Sequence, residues 1–486
     1  MTATNEIPGQ AGLPTPNSTK SFWHREPSKI LQGHRTTEEL PSRADVVIIG
    51  SGIAGSSAAH WLREHAEGKH LNVVMLEARE ACWGATGRNG GHCQPLVYAS
   101  PPEVGAFEVR NYEDIKSFVE KNDIQCEWRS LSSCHSYMSE DLFEHAVKDT
   151  KSLKVSDPKL GDLVTIITKS STNPSLSDLR IPTAAGAIIT SKAASLWPYK
   201  LVSWILEDLI AKNKSLDSPK FNLQTSTPVT HLQKSSLEWI IHTPRGQLST
   251  PKVLLATNAY TSHLLPSFTD LIVPVRGEMS SLLPPSSMSP TTDSSREPLE
   301  YSYSIMGHAS QNINRDDYLV QRPFCTLSSS SSSPKASGGE LMFGGGREFA
   351  SQAGMGVFDD SSIDLPAAAY LRRSLPLALN LHNDHEELKA SFEWSGIMGF
   401  SRDNFPWVGS VGEELGGGDG LYVCAGFTGH GMPTARLSAK AVVGLIMGEA
   451  VEELDLPGRY VLSMERVESA RALDTVMVAD EKGEYF

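Results

Sequence analysis

Apolar and polar positions along the chain follow two periods, and the switches between them mark out the elements. Asp45–Gly50 (DVVIIG) is a short apolar run, suited to a strand buried on both faces. The period then becomes helical. Ala54, Ala58, Trp61 and Leu62 share one face of a helix predicted from about Ile53 to Glu67, with Gly68 as its stop. Leu71–Glu77 (LNVVMLE) reads as a second strand, which completes a βαβ unit. Val253–Tyr260 (VLLATNAY) and Leu421–Phe427 (LYVCAGF) are two more buried strands. Thr227–Thr250 alternates as two or three antiparallel strands, with Pro244-Arg245-Gly246 at a turn. A last helix is predicted from about Pro433 to Met447.

Elsewhere the pattern fades. Residues 1–20 are rich in Pro, Thr, Asn and Gly and are predicted to be a disordered arm. Residues 21–43, with Phe22 and Trp23, are predicted to lie across the surface of the body. Thr326–Gly339 is low in complexity, with serine at every position from 328 to 333, and is predicted to be a flexible surface insertion. No internal repeat is present.

Length and composition narrow the class. A chain of 486 residues is too long for one core, so two domains are expected. With 40% hydrophobic and 21% charged residues it reads as an ordinary globular protein. A net charge of -14 argues against a nucleic-acid partner, which would require a basic face. No run of about eighteen apolar residues suggests a membrane span. Neither a leader-type apolar segment nor a peroxisomal tripeptide is visible, so a cytoplasmic location is expected. Cys82, Cys93, Cys126, Cys134, Cys325 and Cys424 show neither CxxC nor metal-ligand spacing, so no disulfide framework and no metal site are expected.

The chemistry starts at Gly50-Ser51-Gly52-Ile53-Ala54-Gly55. In a dinucleotide site the first glycine permits the tight turn and the second lets backbone approach a pyrophosphate. The third lets helix and strand pack closely, and the phosphates meet free N–H groups at the helix start. Glu77 ends the next strand, where a carboxylate can accept hydrogen bonds from ribose hydroxyls. This unit alone does not separate FAD from NAD.

Further segments do. Gly84-Ala85-Thr86-Gly87-Arg88-Asn89-Gly90-Gly91-His92 and Gly426-Phe427-Thr428-Gly429-His430-Gly431 resemble, in that order, the GASGRNGG signature and the flavin-ring loop of FAD-dependent D-amino-acid-oxidase-type enzymes. Trp394-Ser395-Gly396, Arg402-Asp403 and Phe405–Gly409 resemble the segment before that loop. Val273–Gly277 resembles a central PVRG segment, and Trp197–Leu201 the return to the FAD-binding part. Leu341–Gly346 looks like LLFGGG in the γ-glutamylputrescine oxidoreductase-like branch.

The resemblance implies an α/β fold, a Rossmann-type FAD-binding domain with a second, mainly antiparallel-sheet substrate domain inserted in it. It implies an N-terminal arm over 1–43 and a discontinuous FAD-binding domain over 44–110, 185–270 and 391–450. The substrate domain then covers 111–184 and 271–390, and 451–486 is a C-terminal tail. Carried onto this chain, it implies FAD contacts from Gly50, Ser51, Gly52, Ile53, Ala54, Gly55, Glu77, Ala78, Arg79, Thr86, Gly87, Arg88, Asn89, Gly90, Gly91, Val229, Thr257, Gly396, Gly429, His430, Gly431 and Met432.

The physical reading agrees. Small residues at 84–91 let backbone pass close to a flat ring, and Arg88 and Asn89 can donate to phosphate or flavin oxygens. Gly429–Gly431 lead into the last helix, whose N-terminus can stabilise negative charge on a reduced flavin. His430 is expected to position the ring rather than transfer a proton.

Departures from the family matter. Some relatives anchor FAD through a cysteine where Gly396 stands, so non-covalent FAD is expected, with His92 a lesser candidate for a covalent link. Pro433 and Met342 stand where sarcosine-oxidase-like members carry lysines for the substrate carboxylate and for oxygen. This fits the amine-oxidising branch better and leaves the electron acceptor open.

The expected activity is oxidation of the C–N bond of an amine or amino acid by hydride transfer to flavin N5. An imine results, then a carbonyl compound, with hydrogen peroxide if oxygen is the acceptor. His430 and Arg276 are the candidate catalytic residues. Arg276, ranked first, with Arg315, Arg322 and Arg347 could read an acidic group. Trp394, Phe405 and Trp407 could wall a pocket or fill a core; Tyr301, Tyr303 and Tyr318 have no assigned place. The expected partners are a small amine or amino acid and oxygen or another acceptor, for a monomer or homodimer. The alternatives are a dehydrogenase or biosynthetic tailoring oxidase with another acceptor, or a non-catalytic flavin-binding protein.

Overall fold

The first strand, Val46–Ile49, is fully buried, and successive residues face different cores. Val46 and Ile48 pack with the helices, while Val47 and Ile49 pack with a small antiparallel sheet on the other side. Covering both faces is what an unbroken apolar run requires. The computed structural model describes residues 9–213, 219–236, 238–288, 297–307, 315–324, 338–381 and 387–473.

This strand sits inside a six-stranded sheet in the order Trp407–Ser410, Leu421–Ala425, Val253–Leu255, Val46–Ile49, Val73–Leu76, Phe221–Gln224. The strands pair in parallel except Trp407–Ser410, which runs antiparallel to Leu421–Ala425. The predicted Thr227–Thr250 region is three antiparallel strands, His231–Lys234, Trp239–Thr243 and Gly246–Thr250.

The first helix is Ile53–Glu64, shorter than predicted. His65 takes extended backbone, and its Nδ1 accepts the N–H groups of Glu67 and Gly68, each at 3.2 Å. The chain therefore turns before Gly68 can act as a stop. The helix predicted from about Pro433 is Ala435–Met447, starting two residues later because Thr434 (φ −128°) is still outside it, and it is not the last, since Met464–Arg471 forms one more.

A nine-stranded sheet forms the second layer. Its order is Ala390–Ser401, Ile272–Leu282, Leu341–Gly345, Arg315–Gln321, Tyr301–Gly307, Arg129–Tyr137, Gly186–Ser195, His92–Cys93, with Val164–Ile167 paired to Gly186–Ser195. It is antiparallel apart from the pair Tyr301–Gly307 with Arg129–Tyr137. His92–Cys93, Gly186–Ser195 and all of Ala390–Ser401 but its first residue, expected within the FAD-binding part, are strands of this sheet. Their backbone ladders bind them to the nine-stranded sheet, a pairing that local patterning does not reveal.

The N-terminal segment also differs from expectation. Residues 9–20 are not a loose arm: Ala11 is buried, and its N–H donates to Ser262 Oγ at 3.0 Å. Phe22 and Trp23 do not lie on the surface but are 1% exposed and pack with Trp197. The C-terminal segment is anchored through Leu473; Tyr460, Val467 and Ala470 are buried, and Val461 bridges Val408. The low-complexity segment and Cys325 lie outside the described residues, apart from Gly338 and Gly339. The other five cysteines are free and buried. No described helix is long and apolar enough to cross a membrane.

Candidate functional site

The turn after the first strand is built for close backbone contact. Gly50 has φ +108°, and a Cβ there would sit 2.5 Å from Ala256 O. A Cβ on Gly55 would sit 2.0 Å from Gly50 O, so only glycine lets the helix lie this close to the strand. Ile53 N–H is taken by Thr86 Oγ1 at 3.0 Å. The N–H groups of Gly52 and Ala54 have no acceptor among the described residues. A helix start with free donors is an anion site.

Glu77 closes the cradle from the next strand. Its Oε2 accepts from Ser51 N (3.0 Å) and Ser51 Oγ (2.5 Å), and its Oε1 accepts from Arg79 N at 2.9 Å. The carboxylate thus shapes the loop and still borders open space.

That space is a cavity of about 1450 Å³ running between the two sheets. Of the expected cofactor residues, Gly50, Ser51, Gly52, Ile53, Ala54, Glu77, Ala78, Arg79, Thr86, Arg88, Asn89, Gly90, Val229, Thr257, Gly396, Gly429, His430, Gly431 and Met432 all line it. Gly55, Gly87 and Gly91 do not; they are packing glycines. A Cβ on Gly87 would meet Cys82 O at 2.0 Å, and one on Gly91 would meet Leu196 O at 2.6 Å.

At the far end, Thr428 (φ 48°) and Gly429 (φ 72°) turn the loop sharply towards the helix Ala435–Met447. Asn111, fully buried, holds it by donating from Nδ2 to Met432 O (3.0 Å) and accepting from Leu437 N (2.9 Å). The N–H groups of Gly431 and Met432 find no acceptor among the described residues. The cavity therefore has free backbone donors at both ends, which fits a long ligand with a diphosphate and a polar-edged ring.

Several arginine expectations are corrected. Arg88 borders the cavity, but its guanidinium does not serve it. Nε donates to Ser395 O (2.7 Å), and Nη2 to Thr19 O (2.6 Å) and Thr19 Oγ1 (2.5 Å). Its Nε also lies 3.3 Å from Asp360. Burial, more than any neighbour, lowers its pKa to about 10. Arg79 is spent on Asp360 and on the Trp83 carbonyl. Arg276 does not line the cavity; it faces Glu278 and Asp364, each at 3.5 Å. Arg322 is held by Glu127 and Glu340. Arg315 and Arg347 do line the cavity.

Among the aromatics, Trp394 and Trp407 are core residues with no exposure, whereas Phe405 borders the cavity. Tyr318 lines it too, edge-on to His92 at 4.8 Å. Tyr303 is buried and donates to Leu179 O, and Tyr301 packs beside it.

A polar wall escaped the sequence reading. Gln94 Nε2 lies 2.6 Å from His135 Nε2. Tyr98 Oη lies 2.5 Å from His135 Nδ1 and 2.6 Å from Tyr137 Oη. His92 Nδ1 meets Ser302 Oγ at 2.7 Å, and Ser302 donates on to Gln94 Oε1. Burial pushes His92 down to about 3; burial and then His430 push His135 down to about 4, so both rings stay neutral. Burial likewise raises Tyr98 far above the phenol range.

Glu108, 2% exposed, takes Leu96 N–H at 2.7 Å. His430 Nε2 lies 3.1 Å from the same oxygen, near enough for an ion pair but not aligned as a hydrogen bond. Glu278 also faces the cavity, and burial pushes its carboxyl up to about 8. One signal was available: Glu108 and Asn111 interrupt the apolar stripe Val104, Phe107, Tyr112, Ile115 of the helix Pro102–Lys121. Polar residues on a buried stripe mark a site.

Residues 45–445 match the family model described as FAD dependent oxidoreductase (DAO). The chain is 22% identical to a probable oxidoreductase OrdL of Haemophilus influenzae, over 86% of this chain and 87% of the relative. It is 20% identical to γ-glutamylputrescine oxidoreductase of Escherichia coli, over 89% and 90%. Among solved structures it resembles glycine oxidase from Geobacillus kaustophilus, with a TM-score of 0.64 at 19% identity, over 87% of this chain and 99% of that one.

Proposed function

The chain belongs to the DAO family of FAD-dependent oxidoreductases, and from that premise we propose that it oxidises the C–N bond of an amine or amino acid inside this cavity. The observation that carries the reading is the continuity of the space. One cavity joins the glycine cradle and Glu77 to the Gly431–Met432 turn and the polar wall of the large sheet. A cofactor and a small substrate can then share one enclosure. Glycine oxidase and γ-glutamylputrescine oxidoreductase are both named for amino-bearing molecules, which favours the C–N bond.

The free N–H groups of Gly52 and Ala54 would hold the FAD diphosphate, and Glu77 a ribose hydroxyl. Val229 and Thr257 would flank the nucleotide, and the N–H groups of Gly431 and Met432 the polar edge of the ring. Bound FAD supplies the two-electron acceptor for the substrate's α C–H hydrogen.

The chain's own residues do the rest. The enclosure keeps water from the reacting carbon. Burial that keeps His92 and His135 neutral acts on an ammonium in the same sense, favouring the free amine whose lone pair assists C–H cleavage. Tyr98, Gln94 and His135 hold one another and orient the substrate. His430, beside Glu108, positions the ring end of the site.

The test is an anaerobic panel of amines and amino acids added to the purified yellow protein. Loss of the flavin band near about 450 nm with at least one of them is the expected result. Protein that stays oxidised with every compound overturns the reading. Peroxide formed under air identifies oxygen as acceptor, and its absence with turnover identifies another. With glycine at 396, acid precipitation is expected to release all the flavin.

A further inference from the structure

The helix Ala435–Met447 begins without help from its own N-cap. Thr434, the residue just before it, is 2% exposed, and its side chain takes none of the N–H groups of the first turn. Its hydroxyl donates backwards instead, to His430 O at 2.7 Å. The missing cap comes from a different helix. Asn111 Oδ1 accepts the N–H of Leu437, the third residue of the helix, at 2.9 Å. That is the bond a threonine at the N-cap ordinarily makes for itself.

Asn111 also donates from Nδ2 to Met432 O at 3.0 Å. An amide gives and takes a hydrogen bond at once; a carboxylate or an aliphatic chain of the same size does not. Its neighbours on the helix Pro102–Lys121 reach the same segment. Glu108 and Asp114, three residues to either side, share its face. Glu108 meets His430, and Asp114 takes Arg436 Nε at 2.5 Å.

Three consecutive carbonyls of the turn are thereby held by protein. His430 O is held by Thr434, Gly431 O by Ala435 N at 2.8 Å, and Met432 O by Asn111. These peptide units are trans, so C=O and N–H of each point in opposite directions. The first two bonds therefore aim the N–H groups of Gly431 and Met432 away from the carbonyl partners. Both residues line the cavity, and neither N–H has an acceptor among the described residues. The third bond fixes the exit of the turn, so it cannot rotate and offer those donors elsewhere.

We propose that Thr434 and Asn111 are positioning residues that set the flavin's reduction potential: they fix the Gly431 and Met432 N–H groups at its polar edge, favouring the negative charge that reduction brings. This rests on the placement of the ring edge given above and assigns that placement to two side chains. Both act through backbone donors.

The test is the two-electron potential of the holoenzyme, read by equilibration with a reference dye. The wild-type value is expected to lie above that of free FAD. Thr434→Val, which keeps the shape and removes the hydroxyl, and Asn111→Leu are each expected to weaken the hold on reduced relative to oxidised flavin about tenfold, a fall of about 30 mV. Thr434→Ser, which restores the hydroxyl, is expected to stay within about twofold of wild type on that scale. Ile115→Ala, on the helix of Asn111 but in the apolar core, is the structural control: its melting temperature falls while its potential holds.

A wild-type potential at or below that of free FAD overturns the proposal, even if Asn111→Leu fails to retain the cofactor. So do an unchanged potential in Thr434→Val, an equal fall in Thr434→Ser and an equal fall in Ile115→Ala. No amine enters the measurement, so an amine panel without turnover defeats the proposed reaction and leaves this test standing.

Discussion

Arg79 Nη1 reaches both carboxylate oxygens of Asp360, at 2.9 and 3.0 Å, and Asp360 is fully buried. The same carboxylate lies 3.3 Å from Arg88 Nε. One acid, from the segment between the strands Leu341–Gly345 and Ala390–Ser401, thus neutralises two arginines that line the cavity. Removing it would leave two cations without countercharge in a dry place. Asp360→Asn is expected to lower stability by roughly 3–5 kcal/mol in urea denaturation of FAD-saturated protein. Asp455→Asn, which breaks a pair with Arg110 at the surface, is expected to cost less than about 1 kcal/mol.

The two inner glycines separate packing from binding. Gly55→Ala places a methyl 2.0 Å from Gly50 O and is expected to cost about 3 kcal/mol in stability, with loss of colour. Gly52 has φ −68°, which alanine accepts, and its nearest neighbour would be Thr86 Oγ1 at 3.1 Å. Gly52→Ala is expected to leave the apoprotein melting temperature within about 2 °C and to weaken FAD about tenfold, because the methyl crowds the approach to the diphosphate. Thermal unfolding of apoprotein and FAD titration by fluorescence distinguish the two effects.

Glu278 gives the stability a pH dependence of definite sign. Burial raises its folded pKa from 4.5 to about 8. Between those values the unfolded chain has released the proton that the folded protein keeps. Stability therefore falls as pH rises across that window, by about 1.4 kcal/mol per pH unit from this group, and levels off above the folded value. Glu278→Gln removes the contribution. The stability difference, variant minus wild type, is expected to grow from pH 5 to pH 8 and then stay flat, as read from urea midpoints across pH.

The N-terminal segment is expected to retain the cofactor. Leu13 and Pro14 line the cavity, Thr15 O accepts from Arg79 and Thr19 from Arg88. Deleting residues 1–19 is expected to speed FAD loss about tenfold, since two buried guanidinium groups lose acceptors. The recovery of flavin fluorescence on dilution measures that rate.

What the sequence could reveal was local. The strand Val46–Ile49, the helix after it and the cradle between them follow from an apolar run, a helical period and three spaced glycines. Backbone geometry of that kind is set by residues within a few positions of one another. The loop at 426–431 was readable for the same reason. Glu108 was partly visible, as a charged residue on an apolar helix stripe.

The direction of each long side chain was not readable, because its partners are distant in sequence. Arg88 was expected to face the ligand, yet Thr19, Asp360 and Ser395 claim it. Arg276 looked first among the arginines, yet Glu278 and Asp364 face it. His135, Tyr98 and Gln94 meet only because a strand, a loop and a sheet edge converge. The sequence by itself determined the βαβ cradle and the family. Only the tertiary structure decided which charges are spent on holding the two sheets together and which remain available to a ligand, since a buried charge is defined by the groups around it and not by its neighbours along the chain.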